Sequence, residues 1–193
     1  MAATLIPPQR LGLAGALLVS LASSIQAQVI PPPAYQVAVA GTGVPSQVLY
    51  SVALQESGTP LRGQLIPWPW TLNVAGRSLR FKNRSAACSA LLQALRTVNP
   101  RLVDVGLGQV NIGWNGHRFK EPCEGLDPYR NLAVTAEILQ EHKQASGSDD
   151  WIGVAGRYHR PAGGAPAARY RQSFAKHLTR VAGGSSLLMA NNP

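Results

Sequence analysis

Pro45-Ser46-Gln47-Val48-Leu49-Tyr50-Ser51-Val52-Ala53-Leu54-Gln55-Glu56-Ser57-Gly58 is the stretch on which the reading of this chain turns. Pro45-Ser46 opens a helix, Val48, Leu49, Val52 and Ala53 recur at helical spacing, and Gly58 is placed to stop it. Glu56 then falls in the last turn. A carboxylate there faces the negative end of the helix macrodipole, and any apolar cover adds a desolvation cost, so both effects favour the protonated acid. A general acid working near neutral pH needs that bias. A Glu in a last helical turn is by itself usually a solvated surface residue, so the rest of the chain has to supply the weight.

Working outward, Pro67-Trp68-Pro69-Trp70 is followed by two short alternating runs, 71–74 and 78–81, around the turn Ala75-Gly76-Arg77, which reads as a β-hairpin. Residues 85–95 form a helix carrying Cys88, with Ala87, Leu91, Leu92 and Leu95 on its buried stripe. A glycine-rich irregular stretch runs from Asp104 to Asn115. Asp127-Pro128 starts a helix that runs to about Gln144, and residues 146–150 cap another whose Trp151, Val154, Ala155 and Tyr158 share a face. Pro166 begins a last helix to about Arg180. The fold class expected is α+β, mainly α, with one small β-hairpin.

Upstream, residues 28–44 read as a Pro/Gly-rich linker, from Pro31-Pro32-Pro33 and Gly41-Thr42-Gly43. Residues 1–27 have the layout of a secretory signal peptide: Arg10, an apolar run from Leu11 to Ala22, and a cleavage point after Ala27. The folded domain is expected over 45–182, with a loose tail over 183–193. An exported protein follows from this layout, with an uncleaved N-terminal anchor as the alternative, and no apolar stretch reaches the roughly 18 to 20 residues of a bilayer span, so no stable span is expected after processing.

Of 193 residues, 45% are hydrophobic and only 14% charged, which excludes intrinsic disorder for most of the length. The 18 Lys and Arg against 9 Asp and Glu give a net +9, suited to a polyanionic environment. Nucleic acid ranks low, because the basic residues are scattered and the aromatics are not interleaved with them. The two cysteines, Cys88 and Cys123, are expected to pair in an oxidising compartment, closing a loop worth about 3 to 4 kcal/mol in the chain-entropy model. His117, His142, His159 and His177 share no zinc-type spacing with each other or with the cysteines, so no metal and no cofactor are expected.

Four segments carry chemistry: Glu56-Ser57, Gly106-Leu107-Gly108-Gln109-Val110-Asn111, Asn131-Leu132, and Ala155-Gly156-Arg157-Tyr158-His159. The glycines of the second allow close backbone approach, and its two amides, Gln109 and Asn111, can bond sugar hydroxyls and N-acetyl groups. In this order and at these separations, the four resemble the SLT-type lytic transglycosylases of the lysozyme superfamily, especially the small periplasmic forms that accompany conjugation and type IV secretion machines. The resemblance runs from about Pro45 to Phe174. It implies a lysozyme-like domain that cleaves the β-1,4 bond between MurNAc and GlcNAc in peptidoglycan glycan strands and leaves 1,6-anhydro ends, with secretion or conjugation components as candidate partners.

The resemblance implies that Glu56 is the sole acid/base and that Tyr158 positions it. It makes Ser57, Gly106, Leu107, Gln109, Asn111, Asn131 and His159 substrate-binding. Gly108 stands where the family usually has Met, and His159 where it usually has Asn. The Trp68/Trp70 hairpin lies outside these motifs and is expected to flank the glycan groove with an aromatic surface.

A pair of carboxylates would imply hydrolysis instead. Asp127, Asp149 and Asp150 read as helix caps, Glu137 and Glu141 as a solvated face, and Glu121 and Glu124 flank Cys123, which leaves Asp104 as the one plausible partner. A hydrolytic muramidase using Asp104 and a non-catalytic wall-binding scaffold are the alternatives.

Overall fold

The computed structural model describes residues 29–183; the expected signal peptide and nearly all of the expected tail lie outside the described residues. The chain is mainly helical with two small antiparallel sheets, one of two strands and one of four. Helix α1 (Pro33–Ala38) precedes α2 (Ser46–Ser57), and two hairpins follow: β1 (Gly58–Leu61) with β2 (Gln64–Pro67), and β3 (Thr71–Val74) with β4 (Arg77–Arg80). Helix α3 (Arg84–Thr97) leads to β5 (Val103–Val105), β6 (Val110–Asn111) and the short α4 (Ile112–Asn115). Helices α5 (Pro128–Ser146), α6 (Trp151–His159) and α7 (Gly164–Ala182) complete the chain.

The expected hairpin is β3–β4, turned by Ala75 (φ 50°) and Gly76 (φ 84°), both left-handed as a two-residue turn requires. The same geometry recurs at Arg62 (φ 49°) and Gly63 (φ 77°), turning a β1–β2 hairpin that the sequence reading missed. Gly58 and Pro60 hide that strand from a propensity argument. Gly58 does end α2, but by passing directly into β1, where a Cβ would strike the Leu54 carbonyl oxygen. The glycine-rich stretch is also more ordered than expected: β5 pairs with β3 and β6 with β5, giving the order β4-β3-β5-β6.

Residues 28–44 do not behave as a free linker over their described part. The Val29 amide donates to the Val181 carbonyl at 3.0 Å, and Tyr35 of α1 is buried, edge-on to Tyr50 with ring centroids 4.9 Å apart. α7 begins at Gly164, two residues before the expected Pro166. Asp127 and Asp150 cap α5 and α6 as expected, accepting from the amides of Arg130 and Ile152. Asp149 instead pairs with Lys143 at 2.8 Å.

Two apolar clusters share α5 as a common wall. Leu132, Ala136 and Leu139 face Leu49, Val52, Phe174 and Leu178 of the helical body. Val134 and Ile138 face Leu72, Leu91, Val103 and Val105 around the sheet. Tyr158 packs against both clusters, so the end of α6 sits at their seam. Cys88 on α3 and Cys123 in the turn before α5 form a disulfide that ties these two elements together. Among the described residues, no helix is long and apolar enough to cross a membrane.

Candidate active site

The seam between the helical body and the sheet opens into a cavity of about 820 Å³. Glu56, at the end of α2, and Asp104, on β5, both line it. Glu56 keeps a partly accessible edge, yet its carboxyl is packed deeply enough that burial pushes its pKa up to about 8. The negative charge of Asp104 adds to that rise, and a hydrogen bond from Tyr170 opposes it.

Tyr170 is the residue the sequence reading missed. Its hydroxyl donates to Glu56 Oε1 at 2.7 Å, and three residues on, the Ser173 hydroxyl donates to Gln55 Oε1 at 2.8 Å. Two positions of α7, one turn apart, thus clamp the last turn of α2. The available signal was the i, i+3 spacing of hydrogen-bonding groups on the α7 stripe that also carries Phe174 and Leu178. Tyr158, expected to hold the acid, donates instead to the Gly108 carbonyl at 2.6 Å. It still lines the cavity, but its hydroxyl fixes the glycine segment. His159 lines the cavity as well and stacks on Tyr170, centroids 4.5 Å apart and planes 8° from parallel. Burial lowers the imidazole pKa, which favours a neutral ring over the phenol.

Four residues expected to bind substrate are internal to the fold. Ser57 is fully buried and donates to the carbonyls of Ala53 (3.0 Å) and Leu107 (2.8 Å), tying α2 to the glycine segment. Asn131 is fully buried: it accepts from the Gly108 amide and donates to the carbonyls of Val105 and Gly125. Gly106 has φ 79°, and a Cβ there would strike the Asn131 side chain. Leu107 belongs to the helical cluster. None of the four lines the cavity; Ser57 and Asn131 instead satisfy buried backbone groups of the tightly bent glycine segment. Gly108 has no space for the Met of the resembled family, since a Cβ would strike the Thr135 hydroxyl.

Gln109 and Asn111 do line the cavity. Gln109 adopts φ 49°, uncommon for a residue with a side chain, and donates from Nε2 to the carbonyls of Gly106 and Thr71. Asn111 donates from Nδ2 to Asp104 Oδ1 (2.7 Å) and to the Arg101 carbonyl (2.9 Å). Asn73 stands opposite Asp104 in the β3–β5 register, and its amide lies near the same carboxylate. Burial raises the Asp104 pKa, while both amides lower it by favouring the ionised form.

Glu141 is exposed, as its reading on a solvated face expects, and it also lines the cavity. Arg118 grips both of its oxygens, at 2.8 and 2.7 Å, and holds its pKa below the usual value. Trp68 and Trp70 do not line the cavity. The Trp68 indole donates to the Phe81 carbonyl at 2.7 Å and meets Trp70 edge-on, while Trp70 packs on the sheet cluster. The exposed tryptophan in the cavity is Trp114. Among the described residues, no three His, Cys, Asp or Glu side chains come together as a metal site.

The arrangement can supply a proton from Glu56 at neutral pH and places a second carboxyl, Asp104, in the same cavity. Comparisons with protein-family profiles, curated proteins and solved structures return no match to this chain.

Proposed function

We propose that this protein is an exported lytic transglycosylase of the lysozyme-like superfamily, acting on peptidoglycan glycan strands in the periplasm and opening the wall locally for a secretion or conjugation apparatus. The observation that carries the reading is Glu56: a carboxyl ending a helix, held by a phenol, with a pKa near 8, in a cavity large enough for sugar rings. The order of the four motif segments, the disulfide and the positive charge support it.

In the proposed reaction, protonated Glu56 gives its proton to the glycosidic oxygen as the bond to C1 breaks. The substrate's own N-acetyl group stabilises the oxocarbenium-like centre. The Glu56 carboxylate then takes the proton of the 6-hydroxyl as that oxygen bonds to C1. No water is consumed, and the acid returns to its starting state. A carboxyl with a pKa near the working pH suits both halves of the cycle.

The position of Asp104 supports a second reading, hydrolysis by a carboxylate pair, with Asp104 activating a water. One experiment separates the two. Purified sacculi are incubated with the protein and the released muropeptides are weighed by mass spectrometry. Products one water lighter than hydrolysed ends are expected; hydrated ends that vanish in Asp104→Asn would establish the muramidase, and no release at all would sink both.

A further inference from the structure

Trp114 is 61% exposed, although an indole is costly to leave in water. It lines the same cavity as Glu56, and the Arg101 guanidinium lies over its ring, 4.1 Å from the centroid. Several features fix this pair in place. Gly113 packs so closely that a Cβ would sit 2.5 Å from the Arg101 amide nitrogen. Asn111 Oδ1 accepts from the Trp114 amide at 3.1 Å while its Nδ2 donates to the Arg101 carbonyl. The same Nδ2 holds Asp104. One asparagine therefore sets the register between the ring, the cation and the carboxylate in the cavity. Among the described residues, the Arg101 side chain makes no ion pair, so its N–H groups face no competing carboxylate.

We propose that Trp114 and Arg101 form an outer subsite of the cavity for a sugar ring that carries a carboxylate. The indole covers the apolar face of the ring, and the guanidinium, oriented by its stacking, takes the carboxylate. The inference rests on the glycan reading of the cavity. In such a strand the carboxylate has two sources, the lactyl ether of the sugar itself or the peptide attached to it.

The test is binding to the Glu56→Gln protein, so that ligands stay whole. Three probes of equal length are titrated: neutral chitooligosaccharide, peptide-free strands with a free lactyl carboxylate, and peptide-bearing strands. Both carboxylated probes are expected to bind more tightly than the neutral one. Adding Arg101→Gln should remove roughly tenfold of that preference, the size of a charge-assisted hydrogen bond. Trp114→Ala should weaken all three probes. Both side chains are exposed, so neither substitution opens the core. If the preference appears only with peptide-bearing strands, the peptide is the source; if with both, the lactyl group suffices. Equal affinity for neutral and acidic probes, or a preference indifferent to Arg101→Gln, overturns the subsite. Anhydro-product release by the wild type is measured alongside. Release without the Arg101-dependent preference overturns the subsite alone, whereas the preference without release overturns the reaction and leaves the subsite standing.

Discussion

The Tyr170 hydroxyl and the Glu56 carboxyl, 114 residues apart in the chain, are joined by a 2.7 Å hydrogen bond in which the phenol donates. The bond favours the ionised acid and so opposes burial, which favours the protonated one. The balance sets the working range of the site. On the proposed mechanism, activity should fall as pH rises through about 8, where Glu56 loses its proton. Removing the phenol removes the hydrogen bond that lowers this pKa. Tyr170→Phe should therefore shift the alkaline limb of the pH–rate profile upward and reduce turnover by about tenfold, less than the roughly 10² to 10⁴-fold typical of losing an acid/base group. An unmoved limb would detach Tyr170 from the acid.

Tyr158→Phe should behave differently, because its hydroxyl bonds the Gly108 carbonyl. Loss of that bond leaves a carbonyl without its partner at a cost of about 1 to 3 kcal/mol. The thermal midpoint should drop while the alkaline limb stays in place. A limb shift equal to that of Tyr170→Phe would return Tyr158 to the role of positioning the acid.

Glu56 should also cost stability, with a defined pH dependence. Below its ordinary value of 4.5, the carboxyl is protonated whether the chain is folded or not. Between 4.5 and about 8 the unfolded chain ionises first, so it binds fewer protons than the folded one and stability falls with rising pH. Glu56→Gln carries no such penalty. It should abolish turnover and, at pH 8, raise the midpoint by roughly 5 to 10 °C, corresponding to a few kcal/mol in a domain of this size. At pH 4 the two proteins should melt together. Differential scanning calorimetry at both pH values checks this, and full turnover by the variant would remove Glu56 from catalysis.

Asn131→Ala should be among the most damaging single changes, since it strips partners from the Gly108 amide and from the carbonyls of Val105 and Gly125 in the core. A loss of about 3 kcal/mol or more is expected in denaturant titration. A loss below 1 kcal/mol would mean that the glycine segment is held by other contacts.

The disulfide should be worth about 2 to 5 kcal/mol. Cys88→Ser with Cys123→Ser should lower the midpoint of the purified protein. Alkylation of the native protein without reductant should modify neither thiol, and labelling of both would mean that the pair is open in solution.

Local rules made much of this legible in the sequence. Pro45-Ser46 and Asp127-Pro128 mark helix starts, Ala75-Gly76 turns a hairpin, and the stripe Val48, Leu49, Val52, Ala53 buries one face of α2, which puts Glu56 at the helix end. Each depends on residues a few positions apart, where capping, turn geometry and the 3.6-residue period act directly. Tertiary structure alone decided which phenol reaches Glu56. Tyr158 and Tyr170 are both aromatic residues on late helices, and their hydroxyls are assigned by how α6 and α7 pack on α2 and the glycine segment. It likewise turned Ser57 and Asn131 inward and brought Trp114 into the cavity in place of Trp68 and Trp70. A hydrogen bond depends on ångström-scale approach between distant segments. Sequence spacing controls that distance only within a turn or two of helix, and beyond it the packing of two cores around α5 sets every partner.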